Sequence, residues 1–135
     1  MMVRCLAASL AASILGATPA TAENWIRITS TSADNKGTTH FYVDVDSVNG
    51  SGGIYTYWNK LENTAPDRNS GTTQMIAQER VDCIAELSET TRLIIYKSDG
   101  SNVSIEGDGT LIPIAPGTIE RRIFEAVCGM KGHQI

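Results

Sequence analysis

Apolar and polar residues alternate with a period of two along most of this chain, and the period lengthens to nearly four only near the end. Trp25-Ile26-Arg27-Ile28-Thr29 opens the alternation and predicts a first strand over 25–29. A polar stretch over 30–38 reads as a loop. The cleanest strand follows over 39–45, with Phe41, Val43 and Val45 on one face and His40, Tyr42 and Asp44 on the other. Asn49-Gly50-Ser51-Gly52-Gly53 predicts a turn, because glycine reaches positive backbone angles at little cost. A third strand is expected over 54–61 and a mobile loop over 63–72. A fourth strand, over 73–83, puts Met75, Ala77, Val81 and Cys83 on one face. Glu79 interrupts that face, which a bulge or an edge position would explain. A turn over 84–89, a fifth strand over 91–97, the tight turn Ser98-Asp99-Gly100 and a sixth strand over 102–106 complete the series.

The apolar segment 111–116 contains Pro113 and Pro116, which argue against a central strand, so it reads as a strap leading into a helix. In the helix, Ile119, Ile123 and Val127 recur every four residues, and Phe124 and Cys128 widen the stripe. Thr118 can cap its start and Gly129 can end it. About three turns of helix are marginal alone in water, so this one needs a surface to lie on. Six strands with short connections favour an antiparallel meander, giving a mainly β, α+β fold with the C-terminal helix packed on the sheet.

The first residues read differently. Arg4, an apolar stretch over 5–15 and Ala20-Thr21-Ala22 have the form of a cleaved secretory signal peptide over 1–22. Its apolar part is shorter than the roughly 20 residues that span a bilayer. Cleavage after Ala22 leaves 113 of the 135 residues as one domain, 23–135. Cys5 departs with the signal and has no apolar stretch before it, so a lipidated anchor is not expected. Cys83 and Cys128 remain. An even pair in an oxidising compartment reads as one disulfide, and two buried free thiols are the alternative. The 15 acidic residues all survive cleavage and Arg4 does not, so ten basic residues remain and the net charge becomes −5. The chain carries no basic stripe, which argues against nucleic-acid or anionic-membrane partners.

Candidate chemistry is sparse. His40, Tyr42, Asp44 and Asp46 are the residues a metal or acid–base site would use, but His40 and Asp44 are about 13 Å apart along an extended strand. A solvated face suits them better, and Asp44 has a structural use in accepting backbone hydrogen bonds from the turn after the strand. Tyr55, Tyr57, Trp58 and Tyr96 could line a recognition surface or simply stabilise the sheet. The glycine–aspartate turns at 99–102 and 107–109 lack the spacing of a calcium loop. His133 is expected in an exposed tail. No catalytic motif, metal-ligand spacing or cofactor fingerprint is legible.

One ordered set of residues goes further. Trp25-Ile26-Arg27-Ile28 opens the domain, and Phe41-Tyr42-Val43-Asp44-Val45-Asp46-Ser47-Val48 follows. Trp58 lies in the next strand and Asp82-Cys83 ends the fourth. Ile114-Ala115-Pro116-Gly117-Thr118 then precedes Phe124-Glu125-Ala126-Val127-Cys128-Gly129. In order and spacing the set resembles the surface-adhesin protein E-like domains of bacteria. The resemblance implies a six-stranded antiparallel sheet, a helix joined to it through Cys83 and Cys128, and structural roles for Trp25, Asp44, Ser47, Trp58 and Asp82. It further implies an exported, non-enzymatic binding module without a cofactor. Its partners would be host extracellular-matrix or envelope proteins, its location the periplasm or the outside of the cell, and a homodimer is compatible with it. Two other readings stay open on the residues alone: an envelope-assembly role, and a small enzyme or inhibitor using His40 or the Asp44/Asp46 pair.

Overall fold

A computed structural model describes residues 23–133, so the expected signal peptide lies outside the described residues. The principal strands are β1 (Trp25–Ala33), β2 (Gly37–Asp44), β4 (Ile54–Asn63), β5 (Thr72–Asp82), β6 (Leu87–Lys97) and β7 (Asn102–Glu106). They lie in the order β1-β2-β4-β5-β6-β7, each antiparallel to its neighbour, which is the meander expected from the alternation. Two short strands extend it: β3 (Asn49–Ser51) pairs with β4, and β8 (Ile112–Pro113) pairs with β6. The helix α1 spans Ile119–Met130.

Several boundaries differ from the sequence expectation, each for a local reason. The polar stretch after residue 29 continues β1 to Ala33 and joins β2 through a short turn, because serine and threonine suit an exposed ladder as well as a loop. Asn49-Gly50-Ser51 forms β3, and only Gly52 and Gly53, both at positive φ, make the tight turn. β6 begins at Leu87 because Glu86, at φ 57°, closes a turn of four residues after β5. The 63–72 connection is not loose. Asp67 Oδ1 accepts from the amides of Asn69 and Ser70, and Thr64 N and Arg68 N donate to Thr38 O and Asn35 O of the first hairpin. These amides hold the Asp67 carboxyl below its ordinary range.

The helix starts as its sequence dictates: Thr118 Oγ1 accepts from Arg121 N at 3.1 Å. It runs one residue past Gly129, and Gly132 rather than Gly129 takes the left-handed angle beyond its end. Its apolar stripe, Ile123, Phe124, Val127 and Cys128, is buried against Val43, Val48, Tyr55, Tyr57, Val81 and Cys83 of the sheet side. Cys83 and Cys128 form a disulfide with a Cα–Cα distance of 5.8 Å. Arg121 reaches Glu86 at 2.8 Å, and Arg122 donates to Thr29 Oγ1 at 2.9 Å. The helix is therefore held by a covalent bond, an apolar stripe and two polar ties. The strap contributes less than its composition suggests. Ile114 is buried and its amide donates to Glu86 O, whereas Leu111 and Ile112 stay exposed.

Candidate functional site

The Asp44-Val45-Asp46-Ser47 segment is where β2 leaves the sheet and β3 takes over its place beside β4. Asp44 Oδ1 accepts from Asp46 N at 3.2 Å and from Asn24 N at 3.1 Å. The Ser47 hydroxyl donates to Asp44 O at 2.7 Å and accepts from Trp58 N at 2.9 Å. Ser47 thus supplies the acceptor that Trp58 would otherwise lack in the gap between β2 and β3. Asp82 does the same kind of work after β5, accepting from Ile84 N and Ala85 N next to the disulfide. The indole of Trp25 donates to Glu23 and lies 4.6 Å from the Lys60 ammonium, which also faces Tyr42.

His40 is not joined to a carboxylate. Its Nδ1 lies 2.6 Å from Ser30 Oγ, and its ring meets Tyr42 edge-on. Ser30 and His40 are directly opposed in the β1–β2 ladder, so this contact follows from register. Asp44 is occupied by backbone amides, and Asp46 is exposed in the 3₁₀ turn. Among the described residues no group of three or more His, Cys, Asp or Glu is placed to hold a metal ion. The aromatic set divides between the two faces. Tyr55 and Tyr57 are buried under the helix, while Trp58 and Tyr96 belong to the opposite face by the alternation. His133 is not free in a tail: its Nε2 lies 2.9 Å from the Tyr55 hydroxyl, which places it against the sheet.

The concave feature lies elsewhere. The helix covers the part of the sheet around Val43, Tyr55, Tyr57 and Val81. The other part of the same face, including Phe41, Leu61, Met75 and Leu93, is only half-buried. Where the two parts meet, a cavity of about 400 Å³ and an adjoining groove of about 250 Å³ run beside the first turns of α1. Both are lined by Asn59, Glu79, Thr90, Glu120 and Ile123.

Glu79 is the residue that interrupts the apolar face of β5. The β5–β6 register shifts at Gln78/Glu79, so the expected bulge is present. The carboxylate accepts from Thr90 Oγ1 at 2.8 Å. Burial first, with Glu120 and Glu89 adding like charge, pushes its pKa up from 4.5 to about 7. Burial and Glu79 likewise push the Tyr57 phenol above its ordinary range. In the sequence Glu79 reads as a strand irregularity with no visible link to Glu120. The acid on an apolar face was the available signal; its partners come from other elements.

A raised carboxyl pKa has a definite stability consequence. Between about pH 4.5 and 7 the folded protein holds a proton on Glu79 that the unfolded chain has released, so stability falls as pH rises through this window. Thermal melts of Glu79→Gln are expected to lack this component, so the difference between variant and wild type grows in the variant's favour from pH 5 to 7.5. A constant difference across that range would show that Glu79 ionises normally.

Comparison with known proteins agrees with the geometry. No curated protein is significantly similar to this chain in sequence. Among solved structures, Haemophilus influenzae protein E matches with a TM-score of 0.53 at 12% identity, covering 81% of this chain and 88% of that one. A second crystal form of the same protein matches with a TM-score of 0.51 at 12% identity, covering 69% of this chain and 83% of that one. At that identity the likeness establishes the fold. The family model described as surface-adhesin protein E matches residues 25–129, from the first strand to the last turn of the disulfide-bonded helix, and the chain therefore belongs to the surface-adhesin protein E family.

Proposed function

We propose that this protein is an exported, non-enzymatic protein-binding module whose working surface is the part of the concave sheet face left open beside α1. One observation carries the reading. A single helix covers only part of the face, leaving Phe41, Leu61, Met75 and Leu93 half-buried around a groove. Such a groove suits side chains of a protein partner. Family membership supports binding over catalysis. The matched structures are of a protein whose family is named for surface adhesion, and host extracellular-matrix proteins are the partner class to try first. The Ser30–His40 contact does not favour an enzyme, because no carboxylate orients the ring among the described residues.

A binding assay on immobilised extracellular-matrix proteins tests the reading with the oxidised mature protein. Saturable binding is expected, with at least about tenfold loss for Leu93→Lys or Met75→Lys at a retained melting temperature, since a charge introduced into an apolar contact is left desolvated. No binding to any of them, or equal binding by both variants, would overturn it.

A second reading has its own observation. The edge strand β7 is exposed at all five residues, and Val103 and Ile105 are 44% and 47% accessible. An envelope protein or a second copy of this chain could add a strand there. Sedimentation at increasing concentration separates the two partners.

A further inference from the structure

The groove beside α1 is apolar along its walls but carries two carboxylates without a cation. The ion pairs among the described residues are Lys60–Glu62, Arg80–Glu89, Arg92–Glu106, Arg121–Glu86 and Arg121–Glu125, and none engages Glu79 or Glu120. Lys60 lines one end of the groove, yet its ammonium is turned to the opposite face, between the Trp25 and Tyr42 rings. Arg121 and Arg122, on the same helix as Glu120, are committed to Glu86, Glu125 and Thr29. The titratable and charged groups around Glu79 are Tyr57 from β4, Glu89 from β6 (already paired with Arg80) and Glu120 from α1. The charges that act on Glu79 are those of Glu120 and Glu89, both acidic, and the walls supplied by Phe41, Leu93 and Ile123 are aliphatic or aromatic.

We propose that this groove is a socket for one basic side chain, a lysine or arginine, presented by a protein partner. The fit is chemical. A lysine stem of four methylenes would lie along the apolar wall, and its ammonium would reach Glu79 and Glu120 at the groove's middle. A carboxylate held partly away from water and lacking a counter-ion gains more from an arriving cation than an exposed one does. The inference rests on the binding-module reading and gives it a recognition element. It also gives recognition a pH dependence: an incoming cation favours ionised Glu79, so affinity rises with pH between about 6 and 8.

The probes are hexylammonium and the uncharged hexanol, titrated into the isotopically labelled oxidised mature protein and followed by amide chemical shifts. Saturable shifts at Glu79, Thr90 and Glu120 are expected with hexylammonium, with at least about tenfold weaker binding of hexanol. Glu79→Gln should weaken hexylammonium by a similar factor and remove the pH dependence. Glu120→Gln, which changes an exposed helix residue, should weaken it without altering the melt. Equal binding of the two probes, unchanged affinity in both variants, or shifts located elsewhere would each overturn the socket. The outcome is separable from the adhesion assay. Matrix binding that both Gln variants retain removes the socket and leaves the module, whereas a socket that binds hexylammonium in a protein without matrix binding removes the adhesion reading.

Discussion

Phe124→Ala is expected to lower folding stability by about 3–5 kcal/mol, the usual range for removing a buried phenylalanine. Phe124 is 1% accessible and is the largest fully buried side chain among the described residues. It sits in the middle of the apolar stripe of α1 and packs in the same cluster as Val43, Tyr57 and Val81. The Arg121 guanidinium lies 5.1 Å from the ring, so the substitution also removes a contact that steadies the Arg121–Glu86 tie. The loss exceeds a simple transfer cost because the sheet beneath cannot close the gap: its strands are fixed by the ladder, and the disulfide limits how far the helix can settle. Urea unfolding followed by circular dichroism measures the effect. A loss under about 1 kcal/mol would mean that the helix contributes little to the folded state.

The second large effect comes from the staple. Cys128→Ser, or Cys83→Ser, should cost roughly 2–5 kcal/mol; the chain-entropy model alone gives about 4 kcal/mol for a closed loop of this size. The two cysteines are 45 residues apart in sequence and both are buried, at 6% and 0% accessibility. Serine in either position would also bury a hydroxyl where a sulfur had no need of a partner. Melting the wild type with and without reductant gives an independent estimate, and the reduced protein should fall near the variants. If an oxidised wild type and Cys128→Ser melt together, the packed stripe holds the helix without covalent help. Because Phe124 and Cys128 lie on one helix face, their effects should not add, since either change loosens the same contact.

Most of the architecture was legible because it rests on two periodicities. Alternation at 39–45 and 54–61 and the four-residue repeat of Ile119, Ile123 and Val127 identified the sheet and the helix. Where glycine and serine cluster, composition hides strand pairing. Asn49–Ser51 and the residues before Ala33 look like loop by composition but pair in the ladder, since pairing uses backbone groups that composition does not report. The groove was not legible. Its carboxylates come from β5 and α1, 41 positions apart by their numbers, and its walls come from four strands and the helix. Only Glu79, an acid on an otherwise apolar strand face, marked the place. His40 and Asp44 drew attention because titratable residues sit close in sequence, yet strand geometry and the turn after β2 assign them to Ser30 and to backbone amides.

The proposed binding role requires export, so cellular location is the property to measure first. Native cells are fractionated, intact cells are treated with protease, and the N-terminus of the recovered protein is read by mass spectrometry. The expected result is a protein beginning at Glu23, outside the cytoplasm and open to protease on intact cells or released into the medium. Protein retained in the cytoplasmic fraction with residues 1–22 still attached would contradict it.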